Sequence, residues 1–221
     1  SLVGFGTTLW LKAAHTDKSE LHEALDASVK AIRSVEKQMS LFDPDSAVSR
    51  LNRQGELRKP DAQLLSVLTL AQYVSRRSAG AFDVTMQPLW RLWSLHSQSQ
   101  TLPPSKALSQ TRSLVNWQAM TVSADVIRLH AKGMGVSLNG IAQGYAADKV
   151  RAVLQAHGVQ HALIDTGETT FLGQSSKGED WRFAVEPSAA PSSVPPIINT
   201  YGWAIATSSD AHTVFSADHV H

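Results

Sequence analysis

Cysteine is absent from all 221 residues, which excludes a disulfide framework, a thiolate metal site and a cysteine nucleophile. An excess of charge of one sign is missing as well. Lys and Arg number 20 against 19 Asp and Glu, so composition supplies no basic field for nucleic acid and no polybasic patch for a membrane surface. A strongly anionic ligand would therefore need local donors, a helix terminus or a metal. No run approaches the roughly 20 apolar residues that a transmembrane helix requires. Neither a Walker loop nor a dinucleotide fingerprint occurs, and no Ser-His-Asp order with a nucleophile elbow is present, which disfavours a serine hydrolase. The chain opens Ser1-Leu2-Val3 without an initiator Met or a signal-peptide pattern, and reads as a mature or trimmed form whose targeting segment is not visible.

What is present is an ordinary globular composition, 43% hydrophobic and 18% charged, long enough for one large domain or two small lobes. The β-branched and aromatic stretch 5–11 predicts a strand. Asp17 with Glu20 gives a capping-box-like helix start, followed by Leu21, Leu25, Ile32, Val35 and Met39 on one face. Asp43-Pro44-Asp45-Ser46 marks a turn. A second helix is expected from about Pro60, with Leu64, Leu65, Leu68 and Ala71 inward and Gly80 ending it. Residues 94–106, rich in Ser, Gln and Pro, read as a surface loop before a short helix. Short strands are predicted at 119–122, 126–129 and 136–138, with a turn at Lys132-Gly133. A helix over 139–157 follows, with Gly158 as its C′ residue. Further strands are expected at 161–165, 181–185 and 203–206, and 187–196 reads as a linker or exposed loop. The sum is α+β, with two helix-and-sheet lobes.

Several segments carry candidate chemistry, each with a plainer alternative. Asn139-Gly140-Ile141-Ala142-Gln143-Gly144-Tyr145 puts small residues where a strand turns into a helix. Either the glycines let an anion approach the helix start, or they permit tight helix–sheet packing. Asp83 either accepts hydrogen bonds from a nucleobase or ribose, or caps its own turn. Phe42 and Tyr145 either stack on a flat ring or belong to the core. Asp165-Thr166-Gly167-Glu168 is a strand-end carboxylate pair or a simple turn, and Thr207-Ser208-Ser209-Asp210 a polar site or a loop. Of nine histidines, most are scattered without ligand spacing, while His219 and His221 form an H-x-H pair.

Taken in order, these segments resemble the FAD:protein FMN transferase (ApbE-like) family. Phe5-Gly6-Thr7 is similar to its M-G-T. Met39-Ser40-Leu41-Phe42-Asp43-Pro44-Asp45-Ser46 through Ser49 and Asn52 is similar to M-S-x-Y-x-P-x-S-x-x-S-x-x-N. Gly80-Ala81-Phe82-Asp83-Val84-Thr85 with Pro88-Leu89-Trp90-Arg91-Leu92-Trp93 follows G-x-F-D-x-T-x-x-P-L-x-x-L-W. Leu138 to Asp148 follows D-L-G-G-I-A-K-G-Y-A-x-D, residues 163–173 the G-G-D strand, and Ala206-Thr207-Ser208 the A-T-S-G block. Gln143 stands where the family has Lys or Glu, and Asp165-Thr166-Gly167-Glu168 replaces G-G-D. Both resemble the branch associated with nitrous-oxide respiration.

The resemblance implies an ApbE-like fold over 1–221 as a single domain, with FAD between the lobes and Mg²⁺ at its pyrophosphate. It implies that Phe42 and Phe5 lie at the isoalloxazine ring and that Ala81, Phe82 and Asp83 line the nucleotide. Gln143 would lie beside the flavin with Lys149 close to it, and Ala146 would offer its carbonyl to the metal. The family continues through S-H-x-x-D-P-x-T-G, whose His helps activate the nucleophile and whose Asp and Thr bind metal. His221 falls at the edge of that block, so the C-terminal part of the family domain is expected to be missing. The implied reaction transfers FMN from FAD to a Thr hydroxyl of an acceptor, plausibly a respiratory membrane flavoprotein, releasing AMP in a periplasmic or extracytoplasmic setting. An FAD pyrophosphatase and a non-catalytic FAD carrier are the alternatives.

Overall fold

The computed structural model describes residues 1–99, 101–175, 177–185 and 195–207. The described chain divides into two compact units, one of Ser1–Ser34 with the described part of Gln143–Thr213, the other of Val35–Ala142.

In the first unit, β1 (Leu2–Gly4) and β2 (Thr7–Ala14) form an antiparallel hairpin. The expected single strand over 5–11 is interrupted because Phe5 and Gly6 turn the chain, with φ of 50° and 77°. Tight hairpin turns require positive φ, which Gly6 supplies freely and Phe5 adopts under constraint. A five-stranded sheet follows in the order β1-β2-β6-β7-β10, where β6 is His161–Asp165, β7 Thr169–Leu172 and β10 Ala204–Ile205. β8 (Trp181–Ala184) and β9 (Ile197–Thr200) make a separate ribbon. Ala162 and Ile164 of β6 alternate inward with Leu9 of β2. Onto them pack Ala24 and Ile32 of α1 (Lys18–Met39), and Ala147, Val150 and Leu154 of α6 (Ala142–Ala156). The period-2 and period-3.6 stripes meet in one core.

Asp17 starts α1 as expected, its carboxylate accepting the N–H groups of Ser19 (2.7 Å) and Glu20 (3.2 Å). Those backbone donors, Glu20 first and Ser19 second, hold the Asp17 carboxyl below its usual range. A lowered folded-state value makes the cap favourable above the unfolded value, and that benefit is lost as acid protonates it. The reciprocal half of the capping box is not made: the Asp17 N–H donates to His15 Nδ1 at 2.9 Å. Gly158 closes α6 with φ 74°, as predicted.

The second unit holds α2 (Ala47–Gln54), β3 (Glu56–Arg58), α3 (Ala62–Arg77), α4 (Gln87–Gln98) and α5 (Ser105–Arg112). β4 (Met120–Val122) and β5 (Val126–Leu129) join β3 in an antiparallel sheet of order β3-β5-β4. A 3₁₀ turn, Trp117–Ala119, shortens the strand expected from 119. α3 begins after Pro60 with Asp61 as cap, its carboxylate accepting the Gln63 N–H at 2.8 Å. α4 runs on to Gln98, so 94–98 is helical rather than loop. No Pro or Gly interrupts it before Pro103, and Ser and Gln tolerate helix well enough.

The helix α2 was not expected. Its eight residues bury Ala47, Val48 and Leu51 on one face and are closed at both ends. Ser46 Oγ accepts the Ser49 N–H at 3.1 Å, and the Gly55 N–H, in left-handed conformation, reaches the Leu51 carbonyl at 2.7 Å. Ser46 is fully buried, so Ser46→Ala should cost about 1 kcal/mol. Denaturant titration checks this, and no loss of midpoint would refute the cap's contribution.

Residues 136–138 form no strand. Asn52 satisfies Val136 instead: its Nδ2 donates to the Val136 carbonyl (2.9 Å) and its Oδ1 accepts the Val136 N–H (2.7 Å). One side-chain amide thus replaces the partner strand. The Ser137 N–H donates to the Val84 carbonyl at 2.8 Å, and Met86 bridges Gly135.

Candidate functional site

In the second unit the chain between α3 and α4 folds into the floor of a cleft of about 280 Å³, lined among others by Phe82, Asp83, Met86, Trp90, Asn139 and Gly140. Ala81 lines it as well. Two residues with positive φ, Ala79 and Gly80, reverse the chain after α3. The Gly80 N–H closes on the Ser75 carbonyl at 2.8 Å, and Ser78 Oγ accepts the Phe82 N–H at 3.1 Å. Phe82 is therefore anchored by its backbone while its ring stays half-buried at the cleft.

Asp83 fills the capping role and more. Its Oδ1 accepts both the N–H (2.8 Å) and the hydroxyl (2.7 Å) of Thr85, and its Oδ2 accepts the Trp117 N–H at 3.0 Å. Thr85, fully buried, uses its Oγ1 in turn to accept the Asn116 N–H at 2.8 Å. The carboxylate ties two loops together. A carboxylate has about four acceptor positions, so the three bonds leave room for a ligand donor.

The remaining expected residues fall elsewhere. Phe42 lies in the turn after α1 and is 68% exposed, a free ring rather than a core one. Phe5 packs against the apolar cluster of the first unit. Gln143, Tyr145, Ala146 and Lys149 all lie on α6. The Lys149 ammonium sits 5.2 Å from the centroid of the half-buried Tyr145 ring, a cation–π geometry. Gln143 lies against the Asp165–Glu168 turn: a Cβ added to Gly167 would come within 2.7 Å of its amide carbon. Thr166 Oγ1 donates to the Gln143 carbonyl at 2.9 Å. The carboxylates of this turn serve the backbone, Asp165 accepting the Gly167 N–H and Glu168 the Thr207 N–H. Both carboxylates thus have the bonds that a strand-end turn calls for. His219, His221 and Ser208 to Asp210 lie outside the described residues.

Tight packing does not explain Gly140 and Gly144. A Cβ on Gly140 would meet nothing nearer than the Phe82 ring at 3.6 Å, and one on Gly144 would meet nothing within 4 Å. Both are exposed. Gly144 in the first turns of α6 costs about 1 kcal/mol of helix propensity relative to Ala, and packing returns none of it.

A magnesium site is not completed by the described residues. Ala146, fully buried in α6, offers a backbone carbonyl alone. Among the described residues the one grouping of three metal-capable side chains is Glu20, Glu23 and His157. His157 follows the other end of α6, about 16 Å of helix from Ala146 at 1.5 Å per residue.

Solved flavin transferases have this fold. The structure of the flavin transferase ApbE from Vibrio cholerae aligns with a TM-score of 0.84 at 28% identity, covering 99% of this chain and 72% of that one. The ApbE protein of Thermotoga maritima aligns at 0.85 with 20% identity, a likeness of fold alone. The chain belongs to the ApbE family, whose model matches residues 5–221. It is 30% identical over 210 residues to the FAD:protein FMN transferase of Vibrio cholerae, covering 92% of this chain and 62% of the relative. The corresponding protein of Klebsiella pneumoniae is 26% identical, with 89% and 59% covered. The chain spans about three fifths of the length of these curated relatives.

Sequence reasoning found Phe82 and Asp83 but not Met86 and Trp90. These two fall at open positions of the G-x-F-D-x-T-x-x-P-L-x-x-L-W pattern. Their spacing of four from Met86 into α4 was the available signal.

Proposed function

We propose that this protein is an FAD:protein FMN transferase, moving FMN from FAD to a threonine hydroxyl of an acceptor flavoprotein of a respiratory membrane, in an extracytoplasmic compartment. The threonine oxygen forms a bond to the FMN-side phosphorus, the bond from that phosphorus to the bridging oxygen breaks, and AMP departs. The hydroxyl proton passes to a base. Family membership supports the chemistry, and the Phe82–Asp83 cleft is the observation that carries the reading to this chain. A half-buried aromatic ring beside a carboxylate with a free acceptor position suits a flat heterocycle bearing N–H groups. The open backbone at Gly140 suits close approach of the nucleotide's polar part. Magnesium, with Ala146 contributing one carbonyl, belongs to this proposal through the family alone. When bound, such an ion neutralises charge on the pyrophosphate oxygens.

The test is incubation with FAD, Mg²⁺ and a threonine-containing acceptor, followed by mass spectrometry. Covalent FMN on the acceptor together with AMP is the expected result. Free FMN and AMP without acceptor labelling would make the protein a pyrophosphatase, and tightly bound FAD with no AMP would make it a carrier.

A further inference from the structure

The mouth of the cleft carries two large apolar side chains that the transferase reading leaves unused. Met86 is the N-cap residue of α4 and Trp90 lies one turn on, its N–H donating to the Met86 carbonyl at 3.1 Å. Both line the cleft, yet Met86 is 36% and Trp90 42% exposed. Residues four apart on a helix share a face, so the pair forms one continuous apolar lip beside Phe82 and Asp83. The helix start does not need them there. Pro88 favours the first turn whatever occupies 86 and 90.

The cleft, about 280 Å³ and partly open to solvent, accommodates one flat ring system. Its chemistry is equally specific: Phe82 and Trp90 offer aromatic surface, Met86 a polarizable thioether suited to a ring edge, and Asp83 an acceptor.

Resting on the transferase reading, we infer that Met86 and Trp90 grip one flat heteroaromatic ring of the substrate over Phe82, with an N–H edge directed to Asp83. Trp90 is then a substrate-binding residue. It occupies a position that the family pattern leaves open, so it sets affinity and ring preference in this chain. The ring belongs to either end of the dinucleotide, isoalloxazine or adenine, which share flatness and N–H donors.

Dissociation constants for FAD measured on the wild-type protein, Trp90→Ala and Trp90→Phe test this, with FMN and ADP as separate competitors. Trp90→Ala should weaken FAD about tenfold, in line with the loss of one base–aromatic stack, while Trp90→Phe stays within about threefold. The melting temperature should not move, because Trp90 is half-exposed. The ring is assigned by the competitor that loses potency in Trp90→Ala: FMN for isoalloxazine, ADP for adenine. Tight wild-type binding with unchanged affinity in Trp90→Ala overturns the inference and leaves the transferase reading standing. Equal weakening of both competitors also overturns it. Absence of FAD binding by the wild-type protein removes the transferase reading and the inference together.

Discussion

Gly173→Ala should destabilise the protein by about 3 kcal/mol or more, combining backbone strain with a clash in a packed interior. Gly173 has φ 58° and is buried just after β7. A Cβ there would lie 2.5 Å from His161 Nδ1 and closer still to the Gln160 carbonyl oxygen. Neither neighbour can yield. The Gln160 carbonyl immediately precedes β6, whose register with β2 and β7 is fixed on both sides. The His161 ring is held because its Nδ1 accepts the Gln174 N–H at 2.9 Å. Thermal melting should fall by roughly 6 to 12 °C for a chain of this size. Gly167→Ala shares the backbone strain, with φ of 99°, and differs in the clash alone, since its obstacle is the movable end of Gln143. A Gly173→Ala protein that melts like the wild type would show that the β6–β7 edge is far looser than its bonding implies.

Asp83→Ala should lower both stability and FAD affinity. Removing the carboxylate strands the Thr85 and Trp117 N–H groups and the Thr85 hydroxyl. With Thr85 fully buried, orphaned donors of this kind together cost about 2 to 4 kcal/mol. Asp83→Asn separates the two roles. Its amide oxygen keeps the Thr85 bonds while its NH₂ faces the Trp117 N–H, so it should lose about 1 to 2 kcal/mol of stability and still lose the charged acceptor for a ligand. Urea unfolding paired with FAD titration reads both. If Asp83→Ala unfolds at the wild-type midpoint, the loop clamp is not a stabilising element. If its FAD affinity is also unchanged, the cleft is not the nucleotide site.

Elements with a dense local signal were legible. β5 and β6 have the predicted bounds, because turn residues frame alternating apolar positions, and α1 and α3 followed from their stripes and caps. The second unit's α2 was missed because it is only eight residues long, too short for the apolar face of Ala47, Val48 and Leu51 to show as a period. The expected strand at 136–138 failed because its partner is the side chain of Asn52, 84 residues away. The site divides in the same way. Phe82 and Asp83 stood out through their motif, but the bond from Trp117 to Asp83 spans 34 residues and leaves no local trace. The openness around Gly144 depends on what does not pack there, which only coordinates reveal.

The contact between Gln143 and the Gly167 turn joins two places where the chain departs from its family's pattern. Gln143 replaces a charged residue, and Asp165-Thr166-Gly167-Glu168 replaces the G-G-D form. Because the Gln143 amide rests on bare backbone at Gly167, a change of side chain at either position is felt at the other. A longer side chain at 143 would have to find its room outside that turn.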